Sequence, residues 1–159
     1  MSRRLNYSQA APEFFKKFQA LSQVLQSDPL NQELGNLIDI RSSQLNGCAF
    51  CLDMHVKQAK LQGERELRLH HIAIWRESTL FNARERAVLE WTEALTQLPP
   101  HGISDTLYEA VREVFSEEEL AALTFRIVSI NGWNRLSIAF RNPPGSMDKL
   151  LGLDKAGLN

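Results

Sequence analysis

The chain has 159 residues, 43% of them apolar, which suits one compact domain with a sizeable core and argues against disorder. Eighteen basic against nineteen acidic residues leave a net charge of −1, and the Lys and Arg are scattered rather than striped, which argues against a nucleic-acid partner. The apolar runs are too short to span a bilayer, and the positive opening residues lead into Ser8 to Glu13 rather than a signal-peptide core, so a soluble cytoplasmic protein is expected.

Apolar positions recur at three- and four-residue spacing, and strand-like alternation is hard to find, so the expected fold class is all-α. A first helix runs from about Pro12 to Gln26, with Phe14, Phe15, Phe18, Leu21, Val24 and Leu25 as its buried stripe, until Asp28-Pro29 breaks it. A second fits Asn31 to about Leu45, burying Leu34, Leu37, Ile38 and Leu45, and Asn46-Gly47 is a left-handed stop. A third runs from about Cys48 to Leu61, ending at Gly63, and a fourth from Glu64 to about Arg76 carries Leu67, Leu69, Ile72, Ile74 and Trp75.

Asn82-x-x-Glu85 and Ser116-x-x-Glu119 have the form of capping boxes and mark two further helix starts. The helix after Asn82 reaches about Leu98 before Pro99-Pro100. Ser104 and Asp105 open a shorter one to about Phe115, and the last runs from about Glu117 to Arg141. Residues 1–159 read as one domain, with 142–159, after Asn142-Pro143-Pro144-Gly145, as a loosely docked peripheral tail. A faint echo links the segments 43–48 and 128–133, in which Asn46-Gly47 and Asn131-Gly132 correspond; coincidence is the ordinary reading of so short a match.

The chemistry concentrates in Cys48-Ala49-Phe50-Cys51-Leu52-Asp53-Met54-His55. Two cysteines are too few for a disulfide scaffold, so a close pair reads as chemistry. On a helix beginning at Cys48, both sulfurs share a face, and the free first-turn amides and helix dipole favour thiolate. His55 lies one turn beyond Cys51 and is placed as its base, which nominates Cys51 as the attacking sulfur and Cys48, at the outer and better exposed end, as the resolving one. Structural zinc would need four ligands, and His70 and His71 lack the paired spacing. Covalent haem would need histidine where Leu52 stands, and a thioredoxin-type site would follow a strand, not a helix. The bland reading is two buried cysteines acting as small apolar residues. His70, His71, Trp91 and Glu93 carry no assigned role.

The run from Leu45 to His55 resembles the signature of the carboxymuconolactone decarboxylase superfamily, in its alkylhydroperoxidase D-like branch. The similarity continues through Trp75-Arg76-Glu77, Glu85-Arg86-Ala87, the run 91–96 and Asn131-Gly132-Trp133-Asn134-Arg135, covering most of residues 10 to 145. The resemblance implies an all-helical subunit forming a homo-trimer or homo-hexamer that reduces hydroperoxides through the dithiol, with no metal and no organic cofactor. Carried over by residue, Cys51 attacks the peroxide, passes through a sulfenic acid and is resolved by Cys48, with His55 as proton acceptor. An external dithiol reductant, in the best-known members a lipoyl group on a carrier protein, restores the pair.

Two positions depart from the family pattern. A relay glutamate twelve residues before the first cysteine is here Asn36, which exchanges no proton near neutral pH. Glu33 and Asp39, three residues to either side, and Glu85 or Glu90 from another helix, are the candidate substitutes. Phe50 stands between the cysteines where the best-studied members have histidine, making the pocket drier and opposing thiolate formation. A dithiol oxidoreductase or redox sensor with little peroxidase activity, a lactone decarboxylase and a helical assembly module are the alternatives.

Overall fold

The computed structural model describes residues 2–158. Its helices are α1 (Tyr7–Ala10), α2 (Pro12–Ser27), α3 (Pro29–Asn46), α4 (Ala49–Leu61), α5 (Glu66–His71), α6 (Ala83–Thr96), α7 (Asp105–Arg112), α8 (Glu117–Phe140) and α9 (Asp148–Leu151). Short 3-10 turns occupy Ile72–Ile74 and Leu153–Ala156. Among the described residues there is no strand, and no helix is long and apolar enough to cross a membrane.

Local chemistry sets the boundaries. The Asp28 side chain accepts from the Asn31 amide with Pro29 in the first turn, so α3 starts two residues before the Asn31 predicted from sequence. Both capping boxes form, at Asn82 with Glu85 and at Ser116 with Glu119. The predicted fourth helix is shorter than its pattern: α5 ends at His71 and tightens into the 3-10 turn before Trp75.

The core forms where α3 crosses α6 and α8, with Ile38, Ile40, Val88, Leu89, Leu123 and Ile127 fully enclosed. Cross-links advance in the same direction along all three helices. Asp39 meets Arg126 and Asn46 meets Asn134, while Glu33 faces Arg84 and Ser42 meets Thr96, so α3, α6 and α8 run parallel. Helix α4 folds back antiparallel on α3, with Asn36 meeting Gln62 at the far end of the hairpin.

Helix α2 departs from expectation. Of its predicted stripe only Leu25 is buried, Phe15 and Phe18 are half-buried, Leu21 is 37% exposed, and Phe14 and Val24 are 82% and 68% exposed. Its contact with α8 is a narrow seam: Phe18 stacks on Trp133, and Trp133 Nε1 donates to Ser22 Oγ. The apolar stripe is wider than one partner helix covers within this chain. Leu67 and Ile74 are likewise exposed.

The tail is held more firmly than its composition implies. Leu153 and Ala156 are buried and the second 3-10 turn packs on α4. Lys57 Nζ sits 2.6 Å from Asp148 Oδ2 and 2.9 Å from Asp53 Oδ1, and the Gly145 amide donates to Asp53.

Candidate active site

Gly47 ends α3 in the left-handed region (φ 67), which leaves only Gly47 and Cys48 between α3 and α4. The sequence pattern starts the third helix at Cys48; in the structure Cys48 is the N-cap, and its Sγ accepts the Cys51 amide at 3.3 Å. A sulfur thus fills the role usually taken by a serine or aspartate oxygen. The two sulfurs face each other in direct contact at 2.6 Å, a pair placed to be joined by a disulfide bond. Cys48 is 2% and Cys51 1% exposed, so the predicted better exposure of Cys48 is not found.

Electrostatics divides the two thiols. The hydrogen bond with Cys51, against opposing burial, and the amides of Cys51 and Phe50 hold Cys48 below its ordinary pKa. Cys51 is pushed up by the hydrogen bond with Cys48, by burial and by the Cys48 charge, with Ser137 and Asn134 pulling it back down. The amide donors of the first turn of α4 thus favour negative charge on Cys48 over Cys51.

His55 is buried on the face of α4 that carries Cys51, and its Nδ1 lies 2.8 Å from Gln58 Oε1 and 3.4 Å from Asp39 Oδ2. Burial lowers its pKa, and Arg126 reinforces that, against the opposing pull of Asp39 and Gln58. The imidazole is thus neutral at neutral pH and available as a base. Asp39 is itself fully enclosed and paired with Arg126: Nε donates to Oδ1 at 2.9 Å and Nη2 to Oδ2. The guanidinium lies against Gly35 of α3, where a Cβ would come into van der Waals contact with it at 3.4 Å.

Behind the dithiol lies a polar layer. Asn46 Nδ2 donates to Asn131 Oδ1 at 2.9 Å and to Asn134 Oδ1 at 2.8 Å, and Asn134 Nδ2 donates to Ser43 Oγ at 3.1 Å. Asn131 Nδ2 reaches Thr96 Oγ1 and the Ile127 carbonyl. Buried amides cost several kcal/mol unless paired, so this layer fixes the ends of α3 and α8 on each other next to Cys51.

The other predicted site residues lie elsewhere. Asn36 is half-buried and donates to Gln62 Oε1 at 2.6 Å, at the opposite end of the α3–α4 hairpin from the cysteines. Exposed Glu33 faces Arg84 across 4.0 Å, and Glu85 is occupied by the α6 capping box and by Arg68 at 2.5 Å. Phe50 is half-buried beside the pair, and Glu90 is exposed. Of the four carboxylates considered, the structure brings Asp39 to His55. Arg126 and Ser137 were not named from sequence, and Asn134 only within the run 131–135, although Arg126 and Asn134, flanking Ile127 and Ile130 on apolar α8, are polar residues at core positions. Among the described residues no three His, Cys, Asp or Glu side chains converge as metal ligands.

Comparison with known proteins places this geometry in context. A model of the Carboxymuconolactone decarboxylase family matches residues 12–94. The uncharacterized protein YdfG of Bacillus subtilis is 40% identical over 92% of this chain and 99% of its own length. The crystal structure of a protein of unknown function from Agrobacterium tumefaciens, bearing the suggested name of antioxidant defence protein AhpD, is also 40% identical. It superposes with a TM-score of 0.86 over 90% of this chain and 98% of that one. The debrominase Bmp8 shares the fold alone, with a TM-score of 0.76 at 20% identity over 93% of this chain and 79% of its own.

Proposed function

The chain belongs to the carboxymuconolactone decarboxylase family, in its AhpD-like branch, and from that premise we propose that it is a thiol-dependent peroxidase cycling Cys48 and Cys51 between dithiol and disulfide. The observation that carries the reading is the pair itself: two free sulfurs 2.6 Å apart, one of them capping the helix that holds both.

Neutral His55 takes the first proton from the dithiol, and the charge appears on Cys48, the more acidic thiol. The remaining proton shifts across the pair, which puts thiolate on Cys51. Cys51 attacks one oxygen of the hydroperoxide and the O–O bond breaks. The alkoxide leaves with the proton from His55 as an alcohol, and Cys51 becomes a sulfenic acid. The Cys48 sulfur then attacks that of Cys51, the S–O bond breaks, and hydroxide departs with the Cys48 proton as water. The dithiol has lost two electrons to the peroxide, and an external dithiol, such as a lipoyl group on a carrier protein, returns them by exchange. Phe14, Val24, Phe125 and Val128, exposed on the two helices of the α2–α8 seam, support assembly as a homo-trimer or homo-hexamer.

In Cys48→Ser, cumene hydroperoxide should leave a sulfenic acid on Cys51 that dimedone traps and peptide mass spectrometry locates. No adduct on Cys51 would sink the reading. Asn36, which supplies no carboxylate, favours a second reading, a dithiol–disulfide oxidoreductase or redox sensor. Dihydrolipoamide would then cycle the pair while peroxide turnover stayed at background. A lactone decarboxylase would need no dithiol, and full lactone activity in Cys48→Ser would identify it.

A further inference from the structure

We propose that Asp39, clamped by Arg126, is a positioning residue that fixes the tautomer and orientation of His55, and so supplies by another route what Asn36 lacks. The inference rests on the dithiol reading of the site. Three helices contribute: Asp39 from α3, His55 from α4 and Arg126 from α8. Oδ2 of Asp39 accepts from Nη2 of Arg126 and lies 3.4 Å from Nδ1 of His55, a charge contact rather than an aligned hydrogen bond.

Stability alone is a weak reason for this arrangement. Burying an ion pair removes both charges from water, and apolar replacements of similar volume often fold as well or better.

The chemistry of the acceptors explains what the carboxylate adds. Gln58 Oε1 is the nearer partner of Nδ1, but an amide can rotate to present its NH2 group instead, so Gln58 by itself fixes no tautomer. A carboxylate only accepts. The Asp39 charge 3.4 Å away therefore favours a proton on Nδ1 over a lone pair there, which leaves the lone pair on Nε2 to accept the thiol proton. When it does, the imidazolium is stabilised by the carboxylate 3.4 Å away. Asp39 accepts its hydrogen bonds from Arg126 and acts on His55 through its charge. The charged and polar groups around the ring are thus Asp39 from α3, Arg126 from α8 and Gln58 on its own helix.

The test combines two readouts on wild type, Asp39→Asn and Asp39→Asn/Arg126→Met, the last leaving no unpaired buried charge should the single variant fail to fold. Histidine 15N shifts at pH 8 should show a single Nδ1–H tautomer for wild-type His55 and a mixture in either variant. Thiol loss driven by cumene hydroperoxide at pH 7 should slow by about tenfold or more in a variant whose circular dichroism is native. A folded variant that keeps the wild-type rate overturns the proposal. If wild type itself loses no thiol, the peroxidase reading fails, and the tautomer decides the positioning role: a mixture in the variants upholds it, an unchanged Nδ1–H tautomer refutes it.

Discussion

Oδ2 of Asp39 lies 3.4 Å from Nδ1 of His55, joining a histidine that burial keeps neutral to an arginine on the opposite helix. This gives stability a pH dependence with a definite sign. The folded-state pKa of His55 is below its ordinary 6.5, so the unfolded chain binds the proton more readily. Stability falls as the pH drops from about 6.5 towards the folded-state pKa, by at most about 1.4 kcal/mol per unit. Urea unfolding between pH 7 and pH 5 should show that loss in wild type and a smaller one in His55→Gln.

The two thiols should also be separable. Cys48 is the more acidic, with amide donors at the start of α4, and Cys51 the less acidic. Brief treatment of reduced protein with iodoacetamide at pH 7, followed by peptide mapping, should find the label mainly on Cys48. Equal labelling would contradict the charge distribution.

Gly132 has no room for a side chain: a Cβ there would stand 2.6 Å from Cζ of Phe18. Gly132→Ala must push α2 off the seam or turn Phe18 from its tilted contact with Trp133, at a cost of about 1–3 kcal/mol that a gain of about 1 kcal/mol in helix propensity partly offsets. Thermal unfolding with tryptophan fluorescence checks both the cost and the altered surroundings of Trp133.

Helix α2 also shows where sequence reasoning stops. Periodicity located the helix to within a residue or two, yet it could not say which apolar positions face this chain and which face outward, because both kinds obey the same 3.6-residue repeat. The capping boxes were legible because their chemistry is local. The dithiol and His55 were legible for the same reason, being eight residues of one helix and its cap. The Asp39–Arg126 pair spans 87 residues of sequence, and only folding brings it to His55. The echo between segments 43–48 and 128–133 acquires a spatial counterpart, since Asn46 donates to Asn131.

The exposed apolar edge carries its own consequence. Val24→Glu combined with Phe125→Glu should lower the mass measured by light scattering to that of a monomer without loss of helicity. A wild-type protein that is already monomeric at micromolar concentration would remove the basis for the proposed assembly.

The most direct measurement is thiol counting during a stopped-flow reaction of the reduced protein with cumene hydroperoxide. The proposed cycle predicts that both thiols disappear for each peroxide consumed, leaving a Cys48–Cys51 disulfide that dihydrolipoamide reverses. Peroxide consumption no faster than in a Cys48→Ser/Cys51→Ser control, with both thiols intact, would contradict it.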